Sequence, residues 1–139
     1  MSVIVTDTGF AADDWQAGFV TAGELAKGVA VLRAGLDLQA DTQAEDLAPL
    51  LPRAGLIRIL FTAFNDGRGF TLARRLRRLG YGGRLRAHGH VLADQYAMAR
   101  RSGFDEVEIS ADLAARQPAD QWRFRADWRA HDYQARLRG

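Results

Sequence analysis

Between Leu36 and Ser110 a short apolar run gives way within a few residues to helical spacing three times over, and the series ends in a fourth apolar run. No other feature limits the fold so tightly. Connections this short between strand and helix build right-handed βα crossovers and hence a mainly parallel sheet. "LDLQ", 36–39, is a short strand. Thr42 with Glu45 three residues on has capping-box spacing, so a helix is expected to open there, with Pro52 just beyond its end. "LIRILF", 56–61, is dense in the branched residues that favour strands. In "FTLARRLRRLG" the side chains of Leu72, Leu76 and Leu79 fall within about 60° of one another and Arg74, Arg77 and Arg78 on the opposite arc, with Gly80 as the stop. The strand "RLRAHG" follows, then a helix in "VLADQYAMARRSG" with Leu92, Tyr96 and Ala99 inward, Arg100 and Arg101 at the dipole's negative end and Gly103 after it. "EVEIS" is the last strand.

Three of these strands alternate instead of being apolar on both faces. Asp37 and Gln39 oppose Leu36 and Leu38; Arg84, Arg86 and His88 oppose Leu85 and Ala87; Glu106 and Glu108 oppose Val107 and Ile109. Helices are therefore expected mainly on one face, with Asp37, Arg58, Arg86 and Glu108 forming a charge network on the other. The 139 residues, 47% of them hydrophobic, suffice for the core of one domain. The expected fold is a single α/β domain over 1–139, with an N-terminal segment (1–34), a mainly parallel four-stranded βα core (36–110) resembling part of a (β/α) barrel, and an aromatic, Arg-rich tail (116–139). The alternative is a flavodoxin-like sandwich whose second face is covered by the tail or by the N-terminal segment, "VIVT" and "VAVL" included.

The absence of cysteine removes thiolate nucleophiles, thiol redox couples and cysteine-ligated clusters. With no long apolar run and no signal-peptide pattern, a cytoplasmic protein without membrane partners is expected. The formal charge of +2 conceals a polarity: 2 basic and 8 acidic residues lie in 1–51, 11 and 2 in 52–101, and 6 and 7 in 102–139. A basic middle third can steer an anion or an acidic partner, although arginines on helices are commonly just a solvated face. No stacking aromatics interleave with these arginines, which argues against nucleic acid.

Ligands of parallel sheets bind beyond the carboxyl ends of the strands, where "NDGRGF" and "HGHVLADQ" lie. Gly67 and Gly69 can let backbone approach a ligand there. Arg68 offers a fork to a carboxylate, phosphate or sulfur oxyanion, and Asp66 either orients it or caps the helix. The structural reading of the same residues is a common Asp-Gly turn with Arg68 paired to Asp66 or Asp94. Arg86, His88, Asp94 and Gln95 complete the ligand candidates. His88 and His90 with Asp94 have the makings of a metal site, but spacing supplies no third strong ligand, so no metal is expected. The sequence has no nucleotide, flavin or haem motif, so no cofactor is expected either. In the tail, Trp122, Trp128 and Tyr133 either complete the core or meet a partner or a second copy of the chain.

The segments "FNDGRGFTLARRLRRLGYGGRLRAHGHVLADQ" and "RRSGFDEVEI" resemble the bacterial family filed as domain of unknown function 934, whose members are typically encoded beside the haemoprotein of assimilatory sulfite reductase. The resemblance runs from about Leu36 to Ile109 and covers Asp66, Gly67, Arg68, Gly69, Arg86, Gly89, Asp94 and Gln95. Ser102 and His90 stand where members often carry Cys and Asp. It implies a non-catalytic accessory or docking role in sulfur assimilation with the sulfite reductase haemoprotein as partner. The alternative is a small enzyme or sensor that binds an oxyanion at the strand ends.

Overall fold

A computed structural model describes residues 2–21, 24 and 34–126. The strands are β1 (Ser2–Thr6), β2 (Gly9–Ala11), β3 (Phe19–Thr21), β4 (Gly35–Gln39), β5 (Leu56–Phe61), β6 (Arg84–Gly89) and β7 (Glu106–Ser110). They form one open sheet in the order β2-β1-β7-β6-β5-β4-β3. The expected four strands are there, but among the described residues the sheet has seven. Phe19–Thr21 adds a further parallel strand beside β4, and the N-terminal hairpin adds β1 antiparallel to β7 and β2 antiparallel to β1. "VIVT" thus extends the sheet instead of covering it, whereas "VAVL" and residues 127–139, including Trp128 and Tyr133, lie outside the described residues.

From β3 to β7 the strands stand side by side in chain order, all parallel. With right-handed crossovers, an order that never reverses sends the connections between β4 and β7 to the same face. The flavodoxin-like alternative requires a reversal and is not what forms. Helices α1 (Arg68–Arg78), α2 (Tyr96–Ser102), α3 (Ala111–Arg116) and α4 (Ala119–Phe124) bury Leu72, Leu76, Tyr96, Ala99, Leu113 and Trp122 in one core with Ile57, Ile59, Leu85, Ala87 and Val107. The in-register neighbours Ile57 and Leu85, and Val5 beside Val107, show no exposed surface. Burying a side chain of this size contributes about 1.5–3 kcal/mol.

Three local expectations are corrected. Residues Ala44–Arg53 form a 3-10 segment with no side-chain cap, and the Thr42 hydroxyl donates to the Gln39 carbonyl (2.7 Å) in place of the capping box. Pro49 and Pro52 lie within the segment, and a ring without an N–H weakens α-helical bonding on both sides of itself. Leu79 is 42% exposed because α1 ends at Arg78 and the chain then turns at Gly80, whose φ is 98°. Arg77, expected in solvent, instead donates to the carbonyls of Tyr81, Gly83 and Gly103 and pairs with Asp105.

Candidate functional site

The alternation of β4 to β7 places a layer of charge on the face opposite the helices. The parallel register sets Asp37 beside Arg58, Arg58 beside Arg86, Arg86 beside Glu106 and His88 beside Glu108. Arg58 grips Asp37 with two bonds (2.8 and 3.1 Å) and reaches Glu108 at 3.1 Å. Arg86 has no exposed surface and holds Glu106 at 2.6 Å and Glu108 at 2.8 Å. The residues between β2 and β3 lie over this layer. Asp13 forks onto Arg86 (3.1 and 3.2 Å), Asp14 meets Arg84 at 2.8 Å, and the Phe19 ring lies 3.7 Å from the Arg58 guanidinium. Burial alone would raise the Glu108 carboxyl, but His88, Arg86 and Arg58 outweigh it and hold the group below the usual carboxylate range. His88 lies 3.2 Å from Glu108, yet desolvation is its largest influence and holds it below the usual imidazole range. The expected network exists, and each of its charged groups has a partner of opposite sign within it, three guanidiniums being shared among five carboxylates.

The turn after β5 is built differently. Arg68 donates its Nε and Nη2 to the two oxygens of Asp66 (3.0 and 2.9 Å), and its backbone N–H bonds the same carboxylate at 3.1 Å. These bonds hold Asp66 low and Arg68 high. Gly67 is the N-cap of α1 in open space, but a Cβ on Gly69 would sit 2.3 Å from the Phe61 ring. Gly69 therefore serves helix–strand packing. Arg68 lines a cleft of about 270 Å³ with Asp41, Thr42, Gln43, Thr71 and Arg75, at the carboxyl end of β4. A smaller hollow of about 90 Å³, bounded by Gln39, Leu60, Thr62 and Arg68, adjoins it.

A family model described as bacterial protein of unknown function (DUF934) matches residues 35–139, three quarters of the chain. The chain belongs to this family. No curated protein matches its sequence. The part matching the DUF934 model begins at β4, so β1 to β3 and the two aspartates laid over the charge layer fall outside it.

Several of the candidate residues meet around the turn 61–64. Gly89 has φ 108° and lies so close to the Phe61 carbonyl that a Cβ would be 2.5 Å from it. The His90 amide donates to the same carbonyl, and its Nδ1 lies 2.8 Å from the Thr62 carbonyl. Gln95 accepts from the Leu92 amide (2.8 Å) and donates to the Phe64 carbonyl (2.6 Å), tying the two carboxyl-end turns together. Asp94 pairs with Arg125 at 2.6 Å, not with Arg68. Arg86 lies in the charge layer and shares no concavity with Arg68. His88 and His90 part company at Gly89, and among the described residues no three His, Cys, Asp or Glu side chains gather to hold a metal. Trp122 has no exposed surface, packs edge-on to Tyr96 (6.0 Å) and completes the core, whereas Phe124 of the same tail is 73% exposed. Sequence reasoning missed Arg75 and Asp41. Arg75 stands seven residues after Arg68, on the same side of α1, and that spacing was the available signal.

Proposed function

We propose that this DUF934 protein is a non-catalytic accessory or docking protein of assimilatory sulfite reduction, which meets the sulfite reductase haemoprotein through the outer face of α1 and α2. The link to sulfite reduction comes from the family resemblance. The docking reading is carried by one observation: how the arginines are divided. Arg58, Arg77, Arg84 and Arg86, turned inward, all have carboxylate partners. Arg74 and Arg78 of α1 and Arg101 of α2 are exposed and have no carboxylate within ion-pair distance among the described residues. Leu79, just after α1, and Met98, within α2, are each more than two fifths exposed. A face of unmatched guanidiniums with apolar flanks suits an acidic surface, because charge complementarity raises the encounter rate and rejects basic competitors. The oxyanion alternative would have to do without Arg86, which is taken up by Glu106, Glu108 and Asp13.

The experiment is co-purification with the haemoprotein, using the parent chain and an R74E/R78E/R101E variant. The parent is expected to be retained at low salt and released as ionic strength rises, and the variant to pass through with an unchanged melting curve. Retention of the variant at parental level would remove the α1–α2 face from the proposal. Failure of the parent to associate at any salt would remove the partner.

A further inference from the structure

The cleft beside α1 has a property that the docking reading does not use. Four charged side chains line or border it, and they are not equivalent. Asp66 and Arg68 are bound to each other by two parallel bonds, so their charges cancel and the guanidinium plane is fixed. This leaves the Nη1 edge of Arg68 without a hydrogen bond to any described residue. The two others, Arg75 and Asp41, are exposed and have no ion pair among the described residues, and they carry opposite charge. Polar groups surround them. Thr71 belongs to the same side of α1, Gln43 lines the cleft with it, and the Thr42 hydroxyl already donates to Gln39, so it can only accept. The ordinary fate of such an exposed pair is solvation, with little gained from its mutual attraction. Here, however, the two line one concavity of about 270 Å³ at the carboxyl end of a parallel strand, where ligands of such sheets collect. A plain dianion would meet two guanidiniums but also two carboxylates, a site of no net charge. A ligand carrying both signs meets a partner for each.

We propose that this cleft binds a small zwitterion of the α-amino-acid type, its carboxylate on Arg75 and the Nη1 edge of Arg68 and its ammonium group on Asp41. A guanidinium fork matches a carboxylate and Asp41 accepts from an ammonium, whereas neither half alone uses both. The volume limits the ligand to a small side chain. The inference is independent of the docking reading, which involves Arg74, Arg78 and Arg101 on the outer face.

The test is an amide-resolved NMR titration of the full chain with L-alanine, acetate, methylammonium and sulfate. L-alanine is expected to give saturable shifts at residues 40–43, 68, 71 and 75, with an affinity at least tenfold above that of acetate or methylammonium. R75A and D41N should each weaken it tenfold or more while R74A leaves it unchanged, and the melting temperatures of all three should match the parent's. If sulfate or acetate binds as well as L-alanine, the cleft is an anion site and the proposal fails. It fails equally if no probe saturates, or if the R74A variant loses binding as R75A does.

Discussion

Gly67 and Gly69 are two residues apart in one turn, and substitution should move stability in opposite directions. Gly67 has φ −78° and ψ −5°, open to any L residue, and nothing lies within 4 Å of an added Cβ. Ala there should be neutral or stabilise by about 0.4–1 kcal/mol through the unfolded chain. At Gly69 the same methyl collides with the Phe61 ring, itself packed 5.0 Å from Phe70. Overpacking should cost about 1–3 kcal/mol, more than the gain in helix propensity of about 1 kcal/mol returns. A denaturant melt of the two variants decides it; equal stabilities would overturn the packing account. The sequence shows two glycines in a turn, but not which faces solvent, because that depends on a ring eight residues earlier. Arg86 makes the complementary case. Its position on the polar side of its strand is legible in the alternation, yet its burial is not, because the covering Asp13 lies 73 residues away. Arg86→Met leaves Glu106 with Arg84 alone and Glu108 with Arg58. The loss expected is about 3 kcal/mol, the low end for removing one member of a buried ion pair.

At the scale of elements, the strands from β4 to β7 stood out because branched residues and period-two alternation report directly on a half-polar sheet. The 3-10 segment did not, since a capping-box spacing says nothing of whether the prolines downstream permit an α-helix. Helix ends were read better where glycine marks them: Gly80 and Gly103 both have positive φ. What the helical wheel misjudged is Arg77, because a wheel shows which arc a residue occupies and not what the neighbouring turns present to it. Arg77 gathers the turn after α1 and the turn before β7 through three carbonyls and Asp105. Lysine keeps the charge but lacks the planar fork that reaches several carbonyls at once. Arg77→Lys should therefore cost about 1.5–3 kcal/mol, the range for losing hydrogen bonds to a charged group. Hydrogen exchange should rise first at the amides of Leu79 to Tyr81 and Gly103 to Asp105. A parental melt and exchange pattern would show that the clamp adds nothing.

For the molecule as a whole, the unbroken strand order leaves two unlike layers, a dry core under the helices and an ionic layer under the Asp13–Phe19 segment, and only the ionic one titrates in the acid range. Its members act in the same direction. Glu108 and Asp13 are held low although burial, their largest influence, pushes them up, and Asp14 is held low chiefly by its bond to Arg84. A carboxylate with a depressed folded value contributes stability that is full above its unfolded value and is lost as pH falls through the folded one. His88, held low by desolvation, takes up its proton more readily when unfolded than when folded, so it too favours the unfolded chain on acidification, starting near its ordinary value of about 6.5. Stability should therefore be flat above pH 7, decline gently from about pH 6.5 through His88, and fall steeply below about pH 4.5 through the carboxylates. The slope cannot exceed about 1.4 kcal/mol per pH unit for each proton by which the two states differ. Urea midpoints from pH 8 to pH 3 measure the profile, and His88→Gln isolates its upper limb. That variant should be flat between pH 7 and pH 5 and then descend less steeply than the parent, because Glu108 has lost one of the groups that hold it low; a variant curve parallel to the parent's between pH 7 and pH 5 would mean that His88 is not held low by desolvation.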